Sequence, residues 1–193
     1  MNKGRLEAFS DGVIAILITI MVLEMKVPHG EDLRALLPVL PVFLSYVLSF
    51  IYLGIYWNNH HHMLQTVQRV TGPMLWANLH LLFWLSLVPF ATGWMGENHF
   101  APVPTALYGG ILLMAALAYN LLEWLIIKSQ GEDSLLRKAV AGQEWKEKAS
   151  VACYLGGIIG ACWLPALALA LYVAVALLWL IPDRRIERTL REQ

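Results

Sequence analysis

The feature that most constrains this chain is a series of apolar runs, each about as long as a helix that crosses a lipid bilayer. Such a helix needs about 20 predominantly apolar residues. The chain has 58% hydrophobic and 15% charged residues, whereas about a quarter of the residues are charged in soluble domains. Six spans are predicted, at Phe9 to Val27, Leu33 to Trp57, Pro73 to Trp94, Pro102 to Ile127, Ala149 to Trp163 and Pro165 to Ile181. The sequence therefore predicts an all-α polytopic membrane protein with six transmembrane helices, in a single domain over residues 1–193.

The basic residues are segregated along the chain in a way that predicts its orientation. If six spans are correct, the loops on one side contain only Lys26 and Arg34. The other twelve of the fourteen Lys and Arg fall on the opposite side, at Lys3, Arg5, Arg69, Lys128, Arg137, Lys138, Lys146, Lys148, Arg184, Arg185, Arg188 and Arg191. Cytoplasmic loops are enriched in Lys and Arg. We therefore expect a multi-pass protein of the cell (plasma or inner) membrane with both termini in the cytoplasm.

Strongly polar residues lie near the predicted cytoplasmic ends of four helices, where burial in a membrane is costly. They are Arg5, Ser10 and Asp11; Asn58, Asn59, His60, His61 and His62; Asn78 and His80; and Glu123. Helix bundles in membranes use polar contacts to hold helices together. One hydrogen-bonded network that ties the first three helices together is therefore predicted, from Arg5, Asp11, Asn58, Asn59, Asn78 and one or more of the histidines.

The triple histidine does not predict a metal site, because adjacent helical residues point about 100° apart and the three rings cannot face one ion. The chain also lacks a Gly-x-Ser-x-Gly elbow, a His-Glu-x-x-His pair and a phosphate-binding glycine loop. We expect no enzymatic activity, cofactor or nucleic-acid partner.

An apolar stripe runs along the first predicted helix. Ile16, Ile20, Leu23 and Val27 recur at steps of four, three and four residues, and Thr19 lies beside them. The periodicity alone favours packing of this stripe against neighbouring helices or lipid.

A motif at the start of this helix, Arg5-x-x-x-Phe9-Ser10-Asp11, resembles the signature of the transmembrane protein 175 family. The resemblance continues through Trp57, Asn59, His61 and His62, then through Trp76, Asn78 and the segment from Leu87 to Phe90. Bacterial members of that family are single six-helix repeats that form tetrameric potassium channels. The resemblance is specific over the first half of the chain and rests on hydropathy alone in the later helices.

The resemblance implies a homotetramer in which the first helix of each subunit lines the pore. Ile16, Ile20 and Leu23 would form an apolar constriction, and Thr19 would occupy a position linked to selectivity. The chain has no Thr-Val-Gly-Tyr-Gly segment that could supply rings of backbone carbonyls. The implied function is therefore an atypical channel without a carbonyl filter loop, permeable to K⁺ and other monovalent cations and modestly selective for K⁺ over Na⁺.

Two other classes of function remain open from the residues. A proton-coupled secondary transporter could use Asp11, Glu123 and the histidines as a proton relay. An intramembrane helical scaffold would use the same polar groups only to hold helices together.

Overall fold

The computed structural model describes residues 2–131, 134–142 and 144–180, and this part of the chain is helical apart from its connecting turns. Two 3₁₀ segments are present, Met21–Glu24 and Leu33–Val39. The α-helices are α1 (Lys3–Ile20), α2 (Leu40–Gln65), α3 (Gly72–Ser86), α4 (Val88–Glu97), α5 (Pro102–Gln130), α6 (Leu135–Val140), α7 (Glu144–Ala161) and α8 (Pro165–Leu180).

Proline and glycine set many of the helix ends. A proline occupies one of the first two positions of α2, α3, α4 and α5, where a missing backbone N–H costs nothing. α5 ends at Gly131, whose φ of 72° lies in the left-handed region that glycine adopts without strain. Its N–H donates to the carbonyl of Ile127, which completes the last turn.

The third predicted span, Pro73 to Trp94, is not one continuous α-helix. It divides into α3 and α4 at Leu87, two residues before Pro89. Proline has no N–H to donate to the carbonyl of residue 85, and its ring clashes with that carbonyl, so a regular helix is interrupted there. The two helices together still form one apolar segment, Gly72–Glu97.

Four helical segments of the described chain are long and apolar enough to cross a bilayer. They are Lys3–Glu24, Leu33–Gln65, Gly72–Glu97 and Pro102–Gln130. α8 is apolar but has 16 residues, which at about 1.5 Å per residue is shorter than a bilayer core of about 30 Å. α7 begins with charged residues, Glu144, Lys146, Glu147 and Lys148. Ile181, at the end of the sixth predicted span, and the four arginines that follow it lie outside the described residues.

The long helix α5 lies at the centre of the bundle, with contacts to α3, α4, α7 and α8. α2 packs against α1, α4 and α8. The fully buried Tyr172 of α8 lies over Gly109 of α5 and Gly157 of α7, where a Cβ on either glycine would collide with its ring. These two glycines let α8 pack closely against α5 and α7. α1 packs mainly against α2, α3 and α4, so it lies at the edge of the bundle.

Hydroxyl groups link the helices inside this bundle. Ser49 of α2 shares hydrogen bonds of 2.6 Å with the Thr92 hydroxyl of α4 and 2.9 Å with the Tyr108 hydroxyl of α5. The Tyr52 hydroxyl donates to the backbone carbonyl of Tyr172 at 2.6 Å. Because buried polar groups are costly unless they are paired, these bonds fix how α2, α4, α5 and α8 fit together.

Candidate functional site: the first helix and its polar contacts

The two faces of α1 have different environments. Leu6, Ser10, Ile14, Leu17 and Met21 are buried against the rest of the subunit. The opposite face is open: the exposed fraction is 62% for Ile16, 45% for Ile20 and 77% for Leu23. The apolar stripe predicted from the sequence is thus the face that the subunit itself does not cover.

Thr19 lies on the same open face. Its hydroxyl donates to the backbone carbonyls of Ala15 at 3.1 Å and Ile16 at 3.0 Å. Because the proton is used within the helix, the oxygen lone pairs are the part of Thr19 that remains free to interact with other groups.

The stripe is shorter than predicted. The α-helix ends at Ile20, a 3₁₀ turn carries Leu23, and Met25 is already extended, with φ −81° and ψ 108°. Val27 therefore lies outside the helix and does not continue the stripe. The physical reason is Pro28, which disfavours helical geometry at the residue before it.

A chain of buried hydrogen bonds joins the first three long helices. His60 Nε2 lies 2.7 Å from Asn78 Oδ1, Asn78 Nδ2 donates to Ser10 Oγ at 3.0 Å, and Ser10 Oγ donates to the carbonyl of Leu6 at 2.9 Å. All three side chains are at most 1% exposed. An amide oxygen can only accept, so the proton of His60 is on Nε2. His60 Nδ1 has no partner among the described residues.

Asp11 belongs to a second, more exposed set of contacts. Trp57 Nε1 donates to Asp11 Oδ1 at 3.0 Å, and the Trp57 ring stacks on His61 with centroids 6.2 Å apart. His61 Nε2 in turn lies 2.9 Å from Gln65 Nε2, and Lys3 Nζ donates to the Gln65 carbonyl at 2.7 Å. The aspartate of the motif thus holds α1 against α2 through an indole rather than through an arginine.

The other residues of the motif and of the predicted network make no side-chain hydrogen bond to either set within the described part of the chain. Arg5 makes no hydrogen bond or ion pair through its side chain with any described residue, and it lines an open cavity of about 300 Å³ together with Phe9 and Asn78. Trp76 is 75% exposed. Asn59 accepts a hydrogen bond of 3.3 Å from the Tyr119 hydroxyl through its backbone carbonyl. The Nδ1 atom of His62 is buried without a partner among the described residues.

The site residues chosen from the motif include His61 and His62 but not His60. It occupies the buried face of α2, in register with Ser49, Leu53 and Leu64. Steps of four, seven and four residues along a helix return to the same face. Helical periodicity counted from the buried serine would have selected His60 from the three histidines.

At the far end of α1, acidic and basic groups lie close together. The Glu24 carboxylate packs against Gly93 of α4, where a Cβ would lie 2.8 Å from Glu24 Oε2. Lys26 Nζ forms an ion pair of 2.7 Å with Glu97 Oε1, and this contact raises the pKa of Lys26. Glu24 directly follows Leu23, so its carboxylate lies beside the end of the exposed stripe.

The described residues contain no group of three or more His, Cys, Asp or Glu side chains placed to hold a metal ion. What the arrangement offers chemically is an uncovered apolar helix face with a hydroxyl beside it, held to the bundle by polar contacts on its other face.

Comparison with known proteins supports the family resemblance. The family described as endosomal/lysosomal potassium channel TMEM175 matches residues 5–89. A relative from Chryseobacterium, a potassium channel, is 58% identical over 192 residues, which cover 100% of both chains. A second potassium channel, from Streptomyces collinus, is 38% identical over 64% of this chain and 65% of its own. The bovine relative, an endosomal/lysosomal proton channel, is 35% identical over 47% of this chain and 22% of its own length.

A solved structure has the same fold. The crystal structure of a lysosomal potassium-selective channel TMEM175 homologue from Chamaesiphon minutus superposes with a TM-score of 0.79 and 30% sequence identity. The match covers 92% of this chain and 95% of the other. The family and these relatives are ion channels and not enzymes. The chain therefore belongs to the TMEM175 family of membrane ion channels.

Proposed function

We propose that four copies of this chain assemble into a potassium-permeable cation channel whose pore is lined by α1. The whole chain, residues 1–193, acts as one transmembrane domain of six helices in the cell membrane, with both termini cytoplasmic. K⁺ passes in preference to Na⁺ by a modest factor, and other monovalent cations also permeate. Ile16, Ile20 and Leu23 form the constriction, with Thr19 beside it.

The observation that carries this proposal is the division of α1 into a buried and an open face. A helix at the edge of a bundle that leaves Ile16, Ile20 and Leu23 exposed has a surface for further copies of itself. The full-length relative at 58% identity is a potassium channel, which favours a pore over a surface that meets only lipid.

An apolar ring can select between cations without carbonyl ligands. A hydrated ion that enters a narrow ring of isoleucines loses part of its water shell and gains no polar ligand in exchange. The larger K⁺ holds its water less tightly than Na⁺, so the barrier is lower for K⁺. Ile16 suits this role because its β-branched side chain is stiff in a helix, and four copies then form an aperture of defined width.

The polar contacts behind α1 have a structural role in this account. The signature and assembly residues are Arg5, Phe9, Ser10, Asp11, Trp57, Asn59, His61, His62, Trp76 and Asn78. Of these, Ser10 and Asn78 hold α1 to α2 and α3 through His60, and Asp11 holds it through Trp57. We propose that these contacts fix the rotation of α1, so that its stripe faces the pore axis.

Planar-bilayer recording from the purified protein tests the proposal. We expect unitary current steps, and under opposed K⁺ and Na⁺ gradients a reversal potential displaced toward the K⁺ equilibrium potential. Slow substrate-coupled flux without unitary steps would indicate a carrier instead. Crosslinking in native membranes checks the stoichiometry, for which four subunits are expected.

A further inference from the structure

A second cavity lies away from α1, among α2, α5, α7 and α8. It offers about 50 Å³ to the centres of water molecules. Half of its lining residues are aromatic: Tyr52, Tyr56, Tyr119, Tyr154 and Trp179. The Tyr56 and Tyr119 rings meet edge to face with centroids 6.1 Å apart, and Trp179 Nε1 donates to Ser150 Oγ at 2.8 Å. The rings are therefore held in place around the empty space.

The cavity also presents hydrogen-bonding groups that are free to accept. The side-chain amides of Asn59 and Asn120 line it, and neither makes a hydrogen bond with another side chain or backbone group in the described part of the chain. Ser150 Oγ accepts from Trp179 and retains a second lone pair. The carboxamide oxygens and the serine lone pair can face a cation, while the carboxamide N–H groups remain able to donate.

Two carboxylates lie within one helical turn of residues that line the cavity. Glu123 is three residues beyond Asn120 on α5, and Glu147 is three residues before Ser150 on α7, so each lies about one helical turn from a lining residue. Both are partly buried, and α5 and α7 are in contact. Lys146 Nζ lies 5.7 Å from the centroid of the Trp179 ring. When both carboxylates are ionised, these three side chains carry a net charge of −1.

We propose that this aromatic cavity binds a small organic cation with a quaternary ammonium group. Tyrosine and tryptophan faces attract cations, and aromatic cages suit quaternary ammonium groups because little hydration is lost. K⁺ holds its water more tightly than a quaternary ammonium group does, so it fits a largely aromatic site less well. The size also agrees: at roughly 10–15 Å³ for each water, a cavity of about 50 Å³ has room for about three to five waters, which is comparable with a trimethylammonium head.

The test measures binding of radiolabelled choline to the purified full-length channel by equilibrium dialysis at pH 8 in K⁺ buffer. Burial and the neighbouring Glu144 raise the pKa of Glu147, and pH 8 keeps the carboxylates ionised. We expect saturable binding of one choline per subunit. The uncharged analogue of the same shape, 3,3-dimethylbutan-1-ol, should not compete. Tyr119→Leu should weaken binding about tenfold, whereas Tyr119→Phe, which keeps the ring, should retain it within about threefold.

Controls locate the ligand. Trp124→Leu removes an exposed aromatic ring from the same helix. The Trp124 ring lies 4.6 Å from Lys128 Nζ and does not line the cavity, so this substitution should leave choline binding unchanged. If Tyr119→Leu does not fold, as judged by gel filtration, Asn120→Leu takes its place with a loss of about threefold expected. Absence of saturable binding would overturn the proposal, because the cavity would then hold only water. Binding that is lost in Ile16→Asn but kept in Tyr119→Leu would also overturn it, because choline would then bind in the pore. The site is separate from α1, so failure of the pore proposal leaves this result unaffected.

Discussion

Single side chains decide how α1 divides its surface between the subunit and the proposed pore. Ile16 is 62% exposed, while Ile14 and Leu17, two residues before it and one after it, are buried. A change confined to the exposed stripe should therefore alter permeation without removing a contact of the subunit core.

Ile16→Asn is expected to admit Na⁺ more readily. The amide supplies hydrogen bonds to a partly hydrated ion and lowers the dehydration barrier that favours K⁺. The reversal potential under opposed K⁺ and Na⁺ gradients should move toward zero.

The matched control is Ile159→Asn, at a residue of the same type on α7 with a nearly equal exposed fraction of 59%. It should keep the wild-type reversal potential. An unchanged potential in Ile16→Asn, with normal assembly, would remove Ile16 from the constriction and leave Thr19 or Ile20 as the next candidate.

Leu23→Ala should raise unitary conductance with a smaller effect on selectivity. Leu23 lies in the 3₁₀ turn beyond α1 and is 77% exposed, so its truncation widens a separate ring. Single-channel amplitudes in symmetric KCl provide the measurement. A large shift in reversal potential with unchanged amplitude would contradict the assignment.

At the residue scale, periodicity groups Ile16 and Ile20 on one face of α1 but does not predict whether that face is exposed, and the motif does not predict the polar contacts. The stripe depends on helical periodicity alone, which α1 obeys up to Ile20. Arg5 and His61 were predicted from a motif, and a motif does not show which side chain a neighbouring helix will bury. His60, on the buried face of α2, makes the contact to Asn78 instead.

At the scale of the helices, the side-chain carboxamide of Asn78 links α1, α2 and α3 by hydrogen bonds. Asn78 lies between His60 and Ser10, and all three are buried. Removing the carboxamide leaves His60 without a partner on either ring nitrogen among the described residues.

Asn78→Leu should lower the stability of the subunit by about 1–3 kcal/mol, since a buried polar group left unpaired costs about that much. The measurement is the midpoint of denaturant unfolding in detergent, followed by circular dichroism. Asn58→Leu is the control, because Asn58 is only half-buried and its side chain makes no hydrogen bond within the described part of the chain. Equal losses of stability in the two variants would show that this hydrogen-bonded network does not stabilise the packing of α1, α2 and α3.

The positions of the four long apolar segments could be predicted from the apolar runs, because run length and hydropathy dominate helix formation in a membrane. Two local features could not be predicted from run length. Pro89 lies within an apolar run and divides α3 from α4, and Pro28 ends the stripe before Val27. In both places the missing N–H and the restricted backbone outweigh hydropathy.

For the molecule as a whole, the charge distribution predicts the topology. In a background with Cys153→Ser and Cys162→Ser, Asn2→Cys and Lys138→Cys should be labelled only after membranes are opened, and Glu31→Cys should react from outside intact cells. All three residues are exposed. Labelling of Asn2→Cys or Lys138→Cys from outside would overturn the orientation.

The central claim is that the open face of α1 lines the ion path of an assembly of identical subunits. Its most direct test is thiol modification of Ile20→Cys in the same cysteine-free background, with Leu17→Cys on the buried face of the same helix as the control. The exposed fractions of the two native residues are 45% and 9%. The account predicts that a small cationic methanethiosulfonate reagent irreversibly reduces the current through Ile20→Cys and leaves Leu17→Cys unaffected. Persistent current in a fully modified Ile20→Cys channel would contradict it.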